Sequence, residues 1–271
     1  MQKAARPEMM KSILGLKLIR RSNDYSHHYF IANLSGRDIH ASVPLAVSEK
    51  YGLWYDPMTD SYTKAQLTGN ELLVNLKSGE SRILVCSNNE DLYPEGVDND
   101  NVSDVSEEID LTANKWTLSF INEQPKVGTT YKLDSLQTWE TLGDSAAVMM
   151  GTGVYETVVK LSRDAACGNW SIDLGDVRES ARVYINNVYV GCAWAVPFVL
   201  NCKNVFKKGK NIIRIEVTNL PANRIADLDR KGVKWRKMKE INVVDINYKR
   251  TTYENWKPVP SGISKVRLVK N

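Results

Sequence analysis

The chain has 271 residues and a mass of 30.6 kDa, enough for one large domain or two ordinary ones. Its 42% hydrophobic and 25% charged residues are ordinary for a globular protein and exclude disorder as the dominant state. No apolar run approaches the roughly 20 residues of a transmembrane helix, and a net charge of +4 at this length does not point to nucleic acid.

Tyr (12) and Trp (7) outnumber Phe (4). Aromatic rings with a polar edge suit sugar-binding surfaces and also fill β-sandwich cores, so composition leaves both roles open. Cys86, Cys167, Cys192 and Cys202 form no C-x-x-C pair, and a zinc site needs tighter spacing. They read as buried strand thiols, with a Cys192–Cys202 bridge across a short loop as the alternative. The N-terminus has basic residues but no sustained apolar stretch and does not read as a secretory signal.

In chain order, residues 1–20 read as an extension and 21–88 as a small antiparallel β-domain. Its strands are predicted at 28–34 and 41–47, then around Trp54-Tyr55 before the Asp56-Pro57 turn. Leu72–Leu76 and Arg82–Ser87 flank Ser78-Gly79 and predict a hairpin. From Asn88 to Asn114 there are nine acidic residues and no Lys or Arg, so 89–112 reads as a self-repelling linker. The remaining chain is correspondingly basic.

The second domain, 113–271, opens with Trp116–Phe120, which alternates with period 2. Further strands are predicted at Gly151–Leu161, Trp170–Leu174, Ala181–Val190 and Asn211–Thr218. Asn186-Asn187 predicts a two-residue hairpin turn, and Gly209-Lys210-Asn211 a second tight turn. Strands at this spacing, without long helical periods, predict an all-β chain whose larger part is a jelly-roll β-sandwich.

Specific motifs follow one another here: Gly151-Thr-Gly-Val-Tyr155, Trp170–Gly175, Asn186-Asn187-Val-Tyr-Val-Gly191, Pro197-Phe198 and Lys208–Val217. The series resembles the galactose-binding-like jelly roll of the glycoside hydrolase family 2 superfamily, with Asn187 at the usual turn glycine. Downstream, Thr218–Asp227 (TNLPANRIAD) and the closing Trp256–Ile263 with its strand at 264–269 resemble segments of the α-L-rhamnosidases of glycoside hydrolase family 106. Tyr29–Asn33 with Asp56-Pro57 resembles the β-domain after the catalytic barrel of those bacterial enzymes. The resemblance covers nearly the whole chain, most strongly from about 115 onward. It implies carbohydrate metabolism in a periplasmic or extracellular setting. The catalytic carboxylates of that family sit on a (β/α)₈ barrel of about 200 or more residues, which the first 20 residues here cannot supply. No catalytic residue carries over, and the expectation is an accessory module.

The residues agree on catalysis. A glycosidase needs two carboxyl groups across a cleft, and no spacing singles out a pair among Glu156, Asp173, Glu179 and Asp227. His occurs only at 27, 28 and 40, and there is no Gly-x-Ser-x-Gly elbow. Gly151-x-Gly153 lacks the third glycine of a phosphate loop and leads into a strand.

Sugar binding is the sharper expectation. Trp194 follows the hairpin at a loop rim, Trp139 lies in a 134–144 stretch readable as a loop over one edge, and Tyr155 sits on a strand. Each is a candidate for ring stacking, with core packing as the alternative. Asn219, Asn223 and Arg224 are candidates for sugar hydroxyls, and Asp227 with Asp229 for a Ca²⁺ ion. The alternative is that these polar residues pin an irregular excursion from the strand. No cofactor is required. Residues 230–239 are basic with one Trp and read as an exposed loop or one facing an anionic glycan rather than nucleic acid. The expected partners are a carbohydrate, such as a rhamnose-containing glycan, and a catalytic glycosidase barrel, with no membrane span. The competing readings are a purely structural module that docks on such a barrel and a small glycosidase in its own right.

Overall fold

A computed structural model of the chain describes residues 6–98, 107–237, 246–247, 249 and 251–270. The chain divides between Ser103 and Asp104 into two units, each with its own core.

The first unit runs α1 (Met10–Leu14), β1 (Lys17–Ser22), β2 (Ser26–Ala32), β3 (Ile39–Pro44), β4 (Tyr51–Asp56), β5 (Ser61–Lys64), β6 (Leu67–Thr68), β7 (Glu71–Leu76) and β8 (Ser81–Ser87). These strands form a five-stranded sheet ordered β1-β2-β8-β4-β5 and a three-stranded sheet ordered β3-β7-β6, with antiparallel pairing throughout. Period-2 alternation aims one face of each strand inward. Tyr29, Leu84 and Trp54 are cross-strand neighbours in one row of the larger sheet, and they share a core with Leu72, Val74 and Leu76 of β7.

Two expectations are corrected here. Of the expected extension 1–20, residues 1–5 lie outside the described residues, and the rest is not a mere extension, because Met10 and Leu16 are fully buried in this core. The Glu8 carboxylate also accepts from the Ala46 amide (3.0 Å) and the Tyr29 hydroxyl (3.1 Å) and pairs with Arg20. The turn at Ser78-Gly79 exists, but β7 and β8 do not form a hairpin: they enter different sheets. Buried Asn33 supports that parting, donating its side-chain amide to the carbonyls of Arg37, Leu76 and Lys77.

The second unit contains β9 (Glu107–Asp110), β10 (Trp116–Gln124), β11 (Tyr131–Leu133), α2 (Asp144–Ala147), β12 (Met150–Leu161), α3 (Arg163–Ala166), β13 (Trp170–Asp173), β14 (Val177–Arg178) and β15 (Ser180–Ile185). β16 (Val188–Ala193), β17 (Val199–Cys202), β18 (Gly209–Thr218), α4 (Ala222–Arg230), β19 (Gly262–Ile263) and β20 (Arg267–Lys270) complete it. A six-stranded antiparallel sheet, β11-β10-β12-β18-β15-β16, and a four-stranded sheet, β17-β13-β20-β9, share one core as an all-β sandwich. The short β14–β19 pair stands apart from both sheets.

β9 lies inside the segment read as an acidic linker. Its carboxylates earn it a place in the sheet: Glu107 lies opposite Lys270 at 3.3 Å, and Glu108 reaches the diagonal neighbour Arg267 at 3.2 Å across the β9–β20 pair. Residues 99–106 of that expected linker lie outside the described residues. The Asn186-Asn187 turn is as expected, with φ of 52° and 67°. The second tight turn is displaced. Gly209 already opens β18, and the reversal precedes it, organised by the fully buried Asn211. That side chain accepts from the Lys207 amide (2.9 Å) and donates to the carbonyls of Lys207 (2.8 Å) and Gly209 (3.1 Å). All four cysteines are free; Cys86 and Cys202 are buried in strands, whereas Cys167 is exposed after α3.

Candidate functional site

Strand register fixes which loops meet. Thr152 pairs with Thr218, Thr218 with Ser180, and Ala181 with Ala193. The start of β12, the end of β18, the start of β15 and the end of β16 therefore lie at one end of the six-stranded sheet. Two segments leave from that end: the 194–198 loop carrying Trp194, and the long excursion that begins with Asn219 and α4. At about 4.8 Å per strand, their points of departure are about 10 Å apart.

Trp194 is 63% exposed, the largest exposure of any tryptophan among the exposed large hydrophobic residues. Val196 on the same loop and Tyr189 on β16 are exposed as well. Trp194 and Val196 present an aromatic and apolar rim to solvent, with Tyr189 at the other end of β16 beside the Asn186-Asn187 turn.

Trp139 and Tyr155 are corrections, since neither can touch a ligand. Both are fully buried. The stretch read as an edge loop folds inward as a 3₁₀ turn at Trp139–Thr141, and the Trp139 indole donates to the Tyr155 hydroxyl at 2.6 Å. Trp139 also meets Phe120 edge-on at 5.1 Å. The backbone comes close enough to require glycine. A Cβ on Gly153 would lie 2.6 Å from Trp139 Cζ2, and one on Gly262 (φ +93°) would lie 2.3 Å from the Tyr155 oxygen. Burial pushes the Tyr155 phenol well above the usual tyrosine range, so it remains a neutral hydrogen-bonding group.

The polar cluster after β18 takes the pinning role. Asn219 accepts from the Gly151 amide (3.0 Å) and donates to the Met149 carbonyl (2.9 Å) and Ser261 Oγ (3.1 Å). Buried Asn223 mimics a strand partner, donating to the Val259 carbonyl (2.8 Å) and accepting from the Val259 amide (2.9 Å). The excursion opens with a helix, α4, where an irregular path was expected.

The carboxylates weighed for Ca²⁺ have protein partners. The Asp227 carboxylate is held by Arg224 (2.8 Å) and Lys231 (2.9 Å). Asp229 accepts from Trp235 Nε1 (2.6 Å) and the Tyr253 amide (2.8 Å). Among the described residues no group of three or more His, Cys, Asp or Glu side chains is placed to hold a metal. Of the four carboxylates weighed for catalysis, Asp173 is paired with Arg267, Asp227 is held as above, and Glu156 lies 4.0 Å from Arg214.

Sequence reasoning missed an aromatic cluster on this excursion. Asp229, near the end of α4, gathers Trp235 and Tyr253 through the two hydrogen bonds just given. Tyr253 lies 6.4 Å from Trp235 and 4.4 Å from Trp256, ring centre to ring centre. The Arg236 guanidinium stacks on both Trp235 (5.2 Å) and Tyr253 (5.0 Å) and donates to the Thr251 carbonyl. The available signal was Trp235 inside a basic run, followed further on by Tyr253-x-x-Trp256. The 17 residues between Trp235 and Tyr253 concealed their contact.

The fold is an all-β sandwich architecture that also occurs within glycoside hydrolases. The rhamnosidase of Novosphingobium sp. PP1Y superposes over 94% of this chain with a TM-score of 0.67 and 20% identity, and the match covers 24% of that enzyme. A protein of Formosa agariphila, named provisionally as a beta-glucuronidase, is 29% identical over 159 residues, which is 54% of this chain and 14% of the relative. The β-glucuronidase of Bifidobacterium dentium overlaps 63% of this chain and 31% of its own, with a TM-score of 0.43 and 14% identity. The chain thus spans about a quarter or less of the first two proteins. No protein-family model matches it. No helix among the described residues is long and apolar enough to cross a membrane.

Proposed function

We propose that this chain is a non-catalytic carbohydrate-binding module of a rhamnosidase-like glycoside hydrolase. The observation that carries the reading is Trp194, held almost bare to solvent on a loop at the end of the six-stranded sheet. A core would have no use for a tryptophan in that position, whereas the C–H face of a pyranose stacks on such a ring. The superposition on a rhamnosidase over most of the chain supports the setting in which such a module works. Its ligand class is a glycan, with rhamnose- and galactose-containing saccharides the first to try.

The test is a calorimetric titration of the chain with rhamnose, galactose and rhamnose-containing pectic oligosaccharides. Saturable binding that vanishes in Trp194→Ala is expected. Binding unchanged by that substitution, or none up to millimolar sugar, refutes the role of Trp194.

One observation favours a second reading, a structural module that docks on a catalytic barrel. In the first unit the cross-strand pair Ile19 and Phe30 is exposed (62% and 45%), with Leu34 bare beside the end of β2. In the second, Val158 and Ile212 form another exposed pair on the outer sheet face. Such apolar ledges suit a protein partner, and this reading gains if no saccharide binds.

A further inference from the structure

We propose that Trp235, Arg236, Tyr253 and Trp256 form a second glycan-contact surface, one that selects an anionic polysaccharide through its carboxylate or sulfate groups. The inference rests on the carbohydrate reading above and extends it to a different place and a different ligand charge.

Three features of the cluster carry the argument. First, the rings are ordered outside any core. Trp235, Tyr253 and Trp256 do not belong to the sandwich core, and Trp256 is 49% exposed. Holding large side chains in fixed positions at a surface opposes their rotamer entropy. Here Asp229 supplies the fixing, with one carboxylate oxygen on the Trp235 indole and the other on the Tyr253 amide. Second, the run that carries Trp235 and Arg236 is basic, beside the Asp229 carboxylate that holds the rings. Five of the eight residues from Arg230 to Lys237 are basic and none is acidic. Third, Arg236 is oriented rather than merely present. It stacks on two rings and is tied to the Thr251 carbonyl, which fixes a cation against the aromatic face, and a stacked guanidinium resists dehydration less than an ammonium does.

A ring platform beside a fixed guanidinium meets both halves of an acidic sugar, the apolar C–H face and the charged substituent. Single-stranded nucleic acid also seeks aromatics and cations, but it stacks successive bases on spaced platforms. These rings instead pack on one another, Tyr253 and Trp256 only 4.4 Å apart.

The full chain is run in native affinity gels containing polygalacturonate, dextran sulfate, neutral galactan or poly(dT). Retardation by one or both anionic polysaccharides is expected, weakening as NaCl rises. Which of the two retards distinguishes carboxylate from sulfate recognition. Trp256→Ala and Arg236→Gln should each weaken this binding about tenfold, an anchor's share of an interface. The charge control Lys160→Gln, on an exposed position of β12, should bind like the parent. Matching far-ultraviolet circular dichroism in Arg236→Gln separates lost binding from lost fold. The inference is overturned by no retardation with either anionic polymer, by equal loss in Lys160→Gln, by no loss in both cluster variants, or by tighter binding of poly(dT). If neutral saccharides bind through Trp194 while the anionic polymers do not, only this inference falls; if nothing binds, both readings fall.

Discussion

Replacing Tyr155 by Phe removes one oxygen from the centre of the second unit and little else. That oxygen accepts the Trp139 indole N–H at 2.6 Å and lies 3.4 Å from the Ile263 amide. Trp139 is fully buried, so its N–H is left without water or another acceptor. A buried donor deprived of its partner costs about 1–3 kcal/mol. For a domain of about 150–250 residues each kcal/mol lowers the melting midpoint by roughly 2–4 °C, so a drop of roughly 2–12 °C is expected. Near-ultraviolet circular dichroism is the suitable probe, because every tryptophan except Trp54 lies in the second unit. Trp139→Phe opens a cavity and should cost more. The double variant should cost less than the sum, since it also removes the orphaned donor. A Tyr155→Phe midpoint within about 1 °C of the parent, or strict additivity in the double variant, refutes the reasoning.

Other expectations follow from groups with fewer neighbours. Burial raises the folded pKa of both Tyr29 and Tyr155 above the unfolded value of about 10. The stability this represents is intact below about pH 10 and is lost as pH rises toward the folded values, so melts should be level from pH 7 to 9 and fall above 10. Tyr155→Phe should blunt that fall, and an identical alkaline slope would contradict it. Burial pushes the Cys86 and Cys202 thiols up to about 12, so native protein at pH 8 should alkylate at exposed Cys167 first, with Cys86 and Cys202 labelled only after denaturation. Peptide mapping after iodoacetamide checks the order. Asn223→Ala removes both hydrogen bonds to Val259 and should lower stability by about 1–3 kcal/mol in urea melts; a neutral result would remove its pinning role. With Asp227 already paired to two cations, melting midpoints in Ca²⁺ and in EDTA should coincide. A clear upward shift with Ca²⁺ would restore the ion to this cluster.

Much of the strand set was legible because period-2 alternation is local. Trp116–Phe120, Gly151–Leu161 and Asn211–Thr218 sit inside β10, β12 and β18, and the Asn-Asn turn carries its own backbone preference. Pairing was not legible, because it depends on residues far along the chain. Nothing within 72–87 records that buried Asn33 occupies the carbonyls where β7 leaves off, which lets β8 join another sheet. The acidic run concealed a strand for the same reason: Glu107 and Glu108 repel each other until Arg267 and Lys270 of β20 pair with them. Trp139 was ambiguous until Gly153 and Gly262 proved to be the small residues that make room for it.

β20 has a consequence for the time course of folding. It lies between β13 and β9, so residues 107–110 and 170–173 are neighbours in the sheet only through a strand drawn from 267–270. Arg267 and Glu108, paired across that strand, are 159 residues apart. The six-stranded sheet can assemble from shorter-range pairs such as β15 with β16, but the four-stranded layer must wait for β20. Until then the apolar undersides of Trp170 and Ile172 and the open edge of β13 face solvent, a half-built surface prone to mispairing. Ribosome-bound chains ending before Arg267 should therefore be held by chaperones and be open to protease within β13, and both properties should disappear once β20 has emerged.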